Sequence, residues 1–388
     1  MRSADLSSLQ MIERLIGFDT TSRLSNLALI EWVEAYLAEH GVDSRLTFDD
    51  DRTKANLFAT LGPPDKPGLV LSGHTDVVPV DGQSWDTDPF TVTERDGKLY
   101  GRGTSDMKSF LAVVLALVPE FVQRGLDTPI HLALSYDEEV GCLGVRRLLA
   151  DLDKVGIKPT GCIVGEPTEM RVVTGHKGKL SVRCQVRGLE AHSSLTHQGV
   201  NAVEAAAETV AYLKRMARTR RREGPFNPLF DPPYTTIHTG VIHGGTALNI
   251  VPRDCGFHFE FRYIPGDDPF ALLEQVKRYV GTELEPEMRA VSPATGFEFD
   301  ARGGFNGLDI ADDAEITAFV KAVSGANSTG KVSFGTEAGL FQHAGIPTVV
   351  CGPGSIEQAH KPNEFVALEQ VAQCERFMRR LMDRVCVS

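Results

Sequence analysis

Short apolar runs alternate with segments of helical periodicity through the first third of the chain. Gly68-Leu69-Val70-Leu71-Ser72, bounded by Pro67 and Gly73, has the continuous hydrophobicity of a buried strand. Ile130 to Leu134 and Cys162-Ile163-Val164 read the same way. Ile30, Val33 and Leu37 recur at helical spacing, and His40-Gly41 marks that helix's end. Asp106 is expected to open one long helix through Phe110, Val114 and Leu117, ending near Gly125. Helices between apolar strands predict an α/β domain with a largely parallel sheet.

The pattern changes near Lys179. Leu180 to Val186 alternates apolar and polar residues, the period of a strand with one wet face. A helix from Val200 to Met216 follows, then strands over Thr236 to Ile242 and Gly256 to Tyr263, a helix near Pro269 to Val280, and a last strand at Met288 to Val291. This βαββαβ order predicts a small α+β, ferredoxin-like domain. Beyond residue 292 the α/β pattern returns, with a helix over Ala314 to Val323, a strand at Thr348-Val349-Val350 and a final helix over Val366 to Val385. The expected organisation is an α/β domain over 1–178 and 292–388, interrupted by an inserted domain over 179–291.

Composition narrows the function classes. The 388 residues are 42% hydrophobic and 24% charged, an ordinary globular balance. A formal charge of −12 argues against nucleic acid as a partner. The basic run from Arg215 to Arg222 then reads as a solvated helix end. No stretch approaches the roughly 18 apolar residues of a membrane span, and Met1 to Gln10 carries no signal-peptide pattern. The seven cysteines form no CxxC pair. Free thiols and a reducing, cytoplasmic compartment are expected.

The chemistry lies at the strand ends. His74-Thr75-Asp76 follows the first buried strand, Asp106 follows Gly101-Arg102-Gly103, and Asp137-Glu138-Glu139 follows the strand ending near Ser135. Glu166 follows Ile163-Val164, and His360 lies in a loop beyond Val350. Ligands of open α/β sheets bind beyond the carboxyl ends of the strands, so these segments can converge on one edge. Each alone has an ordinary explanation: a capped turn, a helix N-cap, a solvated glutamate pair. The ordered set does not. Two histidines and three carboxylates can hold two zinc ions about 3.5–4 Å apart, with one carboxylate as a bridge. Without cations such a crowd of carboxylates would repel itself.

The ordered motifs GHTDVVP, GRGTSDMK, DEE, GEPT and AHKPNE resemble the M20 family of zinc peptidases and deacylases over nearly the whole chain. That resemblance implies that His74 and Glu166 complete one zinc site, Glu139 and His360 the other, and Asp106 bridges them. It implies Glu138 as general base and Asp76 as the group orienting His74. Two Zn2+ per subunit follow, with Co2+ as an alternative. In the inserted domain, Ala191-His192-Ser193-Ser194 resembles the family's lid histidine, which stabilises the oxyanion, often from the partner subunit of a homodimer. Asn249 and Arg262 match positions that contact substrate, Arg262 through the substrate carboxylate.

Gly175-His176-Lys177-Gly178, Gly335-Thr336-Glu337-Ala338 and Gly352-Pro353-Gly354-Ser355-Ile356 resemble the branch of the family acting on an acetylated, ornithine-like amino acid. On that reading Gly335, Thr336 and Glu337 are expected at the substrate, with Glu337 pairing its distal ammonium. A succinylated diamino acid, a broader range of N-acyl amino acids and a catalytically inactive metal-binding relative are the alternatives. The intact Glu138 argues against the last.

Overall fold

The computed structural model describes residues 5–386. The residues before and after these, assigned from sequence to the first and last segments, lie outside the described residues. The chain divides into two compact units. One comprises the residues up to Gly175, Leu308–Lys331 and those from Thr336 onward; the other comprises His176–Gly307 and Val332–Gly335.

The first unit is built on a mixed sheet. Its strands lie in the order Ser44–Phe48, Ala55–Leu61, Ile130–Ser135, Leu69–His74, Gly161–Pro167, Thr348–Gly352, Val173–His176 and Leu308–Asp309. The four middle strands from Ile130–Ser135 to Thr348–Gly352 run parallel, and the hairpin strands at one edge run antiparallel. Leu69–His74, Ile130–Ser135 and Thr348–Gly352 are buried at every position, which explains their unbroken apolar runs. The helix expected from Asp106 to Gly125 is two helices, Lys108–Ala116 and Val118–Arg124. Pro119 lacks the amide that would continue the ladder, so the chain breaks at Leu117. The first of these helices is apolar nearly all round and lies in the core.

Two glycines let the site-bearing loops approach their strands. A Cβ on Gly73 would lie 2.5 Å from the Met107 methyl and 3.0 Å from Leu111, so a side chain there would displace the Met107 side chain over the end of that strand. A Cβ on Gly165 would fall 2.0 Å from the Phe110 ring, so the same holds where the core helix meets the strand carrying Glu166.

The second unit is a βαββαβ sandwich. Strands Gly178–Arg187, Thr236–Gly244, Asp254–Tyr263 and Gly296–Phe305 form an antiparallel sheet, with the second strand at one edge and the fourth at the other. This is the ferredoxin-like arrangement. Leu180, Val182, Cys184 and Val186 face inward with Phe257, Phe259 and Phe261, and the helices Ala202–Glu223 and Pro269–Tyr279 contribute to the same core. The strand expected at Met288–Val291 is instead a helix, Glu285–Val291; Pro286 and two acidic residues in its first turn are helix-start chemistry. The fourth strand begins only at Gly296 and pairs with Gly178–Arg187. The inserted unit therefore ends near Gly307 rather than at 291, and begins at His176.

Candidate active site

Four parallel strands deliver one chemical cluster to their carboxyl edge, all within the first unit. His74 ends its strand fully buried, with Nε2 3.0 Å from Asp106 Oδ1 and 3.8 Å from Glu166 Oε1. His360 Nε2 lies 3.4 Å from Asp106 Oδ2 and 3.0 Å from Glu139 Oε2. The two oxygens of Asp106 thus face different histidines, the geometry of a bridging carboxylate. His74, Asp106 and Glu139 form one set of mutually close ligand atoms, and His74, Glu138 and Glu166 form another. The structure brings together every residue expected as a metal ligand.

The electrostatics show what such a cluster costs. Burial, with the negative charge of Asp106, drives Glu166 well above the carboxylate range. Burial and neighbouring carboxylates push Glu139 up to about 7, against the opposing pull of His360. Burial pushes Glu138 up to about 8, with Glu139, Asp106 and Asp76 adding to it and His74 opposing. Burial pulls the His74 pKa down, but Asp106 and Asp76 outweigh it and hold the group well above its ordinary value. Hydrogen bonds that His360 donates to Asp106 and Glu139 raise it to about 10. Asp106, between two imidazoles, is held low despite burial. Anionic oxygens and imidazoles packed this closely are the donor set of a divalent transition metal, whose charge relieves the repulsion.

Asp76 meets both His74 and the glutamate loop. The acceptor nearest His74 Nδ1 is the Asp76 backbone carbonyl at 2.8 Å, and the carboxylate Oδ1 is 3.6 Å away. The Asp76 carboxylate instead accepts from the Glu138 amide at 3.1 Å, the Glu139 amide at 3.3 Å and the Ser22 hydroxyl at 2.7 Å. One residue therefore orients the histidine through its main chain and the glutamate loop through its side chain. Nothing local in the sequence signals the Ser22 contact, which spans 54 positions.

The substrate-binding roles expected of Glu337 and Thr336 are overturned. Glu337 is fully buried, with its oxygens accepting from Ser72 Oγ at 2.5 Å and Ser135 Oγ at 2.7 Å. Its carboxylate ties two neighbouring strands together and offers nothing to a ligand. Thr336 is also fully buried, and its hydroxyl accepts from the Ala338 amide. Packing accounts for Gly335, since a Cβ there would sit 1.8 Å from the Phe305 ring. The Gly352-Pro353-Gly354 turn accepts from the amides of Thr168, Glu169 and Met170, which makes it a structural turn beside the Glu166 strand. Lys177 spends its ammonium on the carbonyls of Pro232 and Tyr234.

His192, Asn249 and Arg262 belong to the second unit. His192 caps the short helix Ser193–Gln198 by accepting from the Ser194 amide, and Ser193 donates to the Asn249 carbonyl. The two expected lid residues are therefore neighbours. Arg262 lies on Asp254–Tyr263, where Nε donates to Glu260 at 3.0 Å. Among the described residues no helix is long and apolar enough to cross a membrane.

Residues 70–384 match the sequence profile of peptidase family M20/M25/M40. An acetylornithine deacetylase of Myxococcus xanthus is 36% identical over 381 residues, covering 97% of this chain and 96% of that protein. An acetylornithine deacetylase of Photorhabdus laumondii is 34% identical over 365 residues, 94% of this chain and 92% of that one. Among solved structures, an M20 family metallo-carboxypeptidase from Sulfolobus solfataricus superposes with a TM-score of 0.75 at 18% identity, covering 97% of this chain and 98% of that one. A dinuclear metal binding peptidase from the M20 family of Bacillus subtilis gives a TM-score of 0.62 at 14% identity, covering 97% of each chain.

Proposed function

The chain belongs to peptidase family M20/M25/M40, and we propose that within that family it is a di-zinc amidohydrolase releasing acetate from N-acetyl-L-ornithine. The observation that carries the hydrolytic part is the placement of Glu138 beside His74 and Glu166, with the Asp106 carboxylate shared between His74 and His360. The acetylornithine deacetylases matched over nearly their full length support the substrate.

His74, Asp106 and Glu166 would hold one ion, and Asp106, Glu139 and His360 the other; zinc fits these donors, and cobalt is the alternative. Bound there, the ions supply the positive charge that activates a water and polarises the acyl carbonyl. Glu138 takes the proton of the attacking water and returns it to the departing amine. With the ions bound, their charge would offset the neighbouring carboxylates that raise its carboxyl, leaving it ionised to accept the proton. Asp76 fixes the base by holding the amides of Glu138 and Glu139. By family resemblance we assign oxyanion stabilisation to His192, a substrate contact to Asn249 and the substrate carboxylate to Arg262, whose planar guanidinium suits that partner.

A homodimer is part of this reading. Val241 and Ile242 stand exposed on the edge strand Thr236–Gly244, and Leu248 is fully exposed beside Asn249, an apolar border that suits a second copy. Light scattering giving a monomer at working concentration would remove it.

The deciding experiment is amine release by zinc-loaded protein from N-acetylornithine, with N-succinyl-diaminopimelate and N-acetylmethionine beside it. Preference for acetylornithine supports a place in arginine biosynthesis. Preference for either other substrate replaces the substrate assignment and leaves the hydrolase standing. No metal-dependent turnover of any acyl amide would leave an inactive metal-binding relative.

A further inference from the structure

The loop carrying His360 has little of its own to hold it. His360 takes φ 64 and Asn363 φ 58, both in the left-handed region that side chains disfavour. The His360 side chain is 54% exposed, whereas His74 is fully buried on a strand. One end of the proposed metal pair thus rests on the sheet and the other on an irregular loop.

A buried network ties that loop to the opposite ligand. Glu364 Oε1 accepts from the amides of Ser105 at 2.8 Å and Asp106 at 3.0 Å. Glu364 Oε2 accepts from the Gly103 amide at 3.1 Å and from Arg102 Nη1 at 2.6 Å. Both Arg102 and Glu364 are 1% exposed. The same Nη1 reaches the Lys361 carbonyl at 3.3 Å, and Nη2 donates to Gln83 Oε1 at 2.7 Å. Gln83 closes the ring, its Nε2 donating to the His360 carbonyl at 3.0 Å, while Trp85 Nε1 donates to Gln83 Oε1. The Arg102 guanidinium also lies 5.1 Å over the Trp85 ring.

A carboxylate gathering three main-chain amides and a guanidinium has no free valence for a ligand, so its work is mechanical. Its amides lead directly into Asp106, and its own backbone leads back four residues to His360. We propose that Gln83, Arg102 and Glu364 are positioning residues that fix the spacing between His360 and Asp106, and thereby set the affinity of the metal position these share with Glu139. The position at His74 and Glu166 shares Asp106 with the network but takes its other two ligands from strands, so it depends on the network less. The inference rests on the two-metal reading of the site.

The test is titration of metal-free protein with Co2+, followed by visible absorption and by elemental analysis of bound metal, for the parent, Gln83→Ala and Glu364→Gln. The parent should bind two equivalents. Each variant should lose about 10- to 100-fold at the position of His360 and Glu139, the usual cost of removing a group that supports a ligand, and clearly less at the position of His74 and Glu166. Gln83→Ala leaves the buried ion pair intact, so it decides the matter if Glu364→Gln does not fold. Two equivalents at parent affinity in Gln83→Ala, or equal weakening of both positions, overturns the positioning role alone. A parent that binds a single equivalent overturns the two-metal reading and the inference with it.

Discussion

Cys142 donates its thiol hydrogen to Glu138, with Sγ 3.3 Å from Oε1. The main chain makes the same turn, since the amides of Gly141 and Cys142 both donate to the Glu138 carbonyl at 2.9 Å. Burial holds the thiol well above its ordinary pKa, so the hydrogen stays on sulfur. Asp76 grips the Glu138 amide from the other side. The proposed base is therefore held at its backbone and at its carboxylate by different elements, which limits the geometries it can take.

Glu138→Gln should retain metal and lose turnover by about 100- to 10,000-fold, the contribution typical of a positioned general base. The amide keeps the size of the side chain and cannot accept the proton. Elemental analysis beside kcat reads both halves at once. Loss of metal together with activity would make Glu138 a ligand, as its closeness to His74 and Glu166 permits.

Cys142→Ser should hold kcat near the parent value, because a hydroxyl donates at least as well as a thiol. Cys142→Val should lower kcat by about fivefold, the equivalent of one net hydrogen bond of about 1 kcal/mol. KM should stay unchanged in both, since Cys142 is placed to act on the base rather than on substrate. A serine variant as slow as the valine one would show that packing, not donation, is what the thiol provides.

Glu337→Ala should act on stability and not on selectivity. It leaves the Ser135 hydroxyl unpaired inside the sheet and Ser72 with only its longer bond to the Ala133 carbonyl, at a cost of about 1–3 kcal/mol. Denaturant unfolding should record that loss. The ratio of kcat/KM for N-acetylornithine over N-acetylmethionine should not move. A selective fall on the basic substrate would restore the ammonium-binding role that the buried carboxylate contradicts.

Much of this site is legible in the sequence, and the reason is geometric. Parallel strands buried on both faces announce themselves as apolar runs, and the residues just past them fall on one edge, so His74, Glu139 and Glu166 could be placed from spacing. What escaped depended on distant partners. Glu364 stands in the motif around His360, but its bonds to Gly103, Ser105 and Asp106 cross some 260 positions. Glu337 in a Gly-Thr-Glu-Ala segment looks like an exposed helix start, and only the approach of Ser72 and Ser135 makes it interior. The fourth strand of the second unit is hard to read from sequence because its glycines at 303 and 304 blur the alternation that Phe297 and Phe299 begin.

His131 should make the fold lose stability in mild acid. Its ring is 3% exposed, stacked on Phe58 with centroids 5.2 Å apart, with Nδ1 2.9 Å from Thr60 Oγ1 and, among the described residues, no partner for Nε2. Burial pulls its pKa from 6.5 down to about 4, because no anion faces the ring to repay desolvation of the charged form. The unfolded chain therefore binds a proton that the folded chain refuses between those values. Stability from this group is fully present above pH 6.5 and falls as the pH drops toward 4, by about 3 kcal/mol over the window. The metal-site carboxylates titrate nearby, so the informative quantity is the difference between parent and His131→Phe. Phenylalanine keeps the stack on Phe58, gives up the Thr60 contact and cannot be protonated. The variant's melting temperature should fall less steeply than the parent's between pH 6.5 and 4, with parallel curves above pH 7. Parallel curves across the whole range would mean that the ring finds water or a partner when it protonates, and that its burial carries no acid sensitivity.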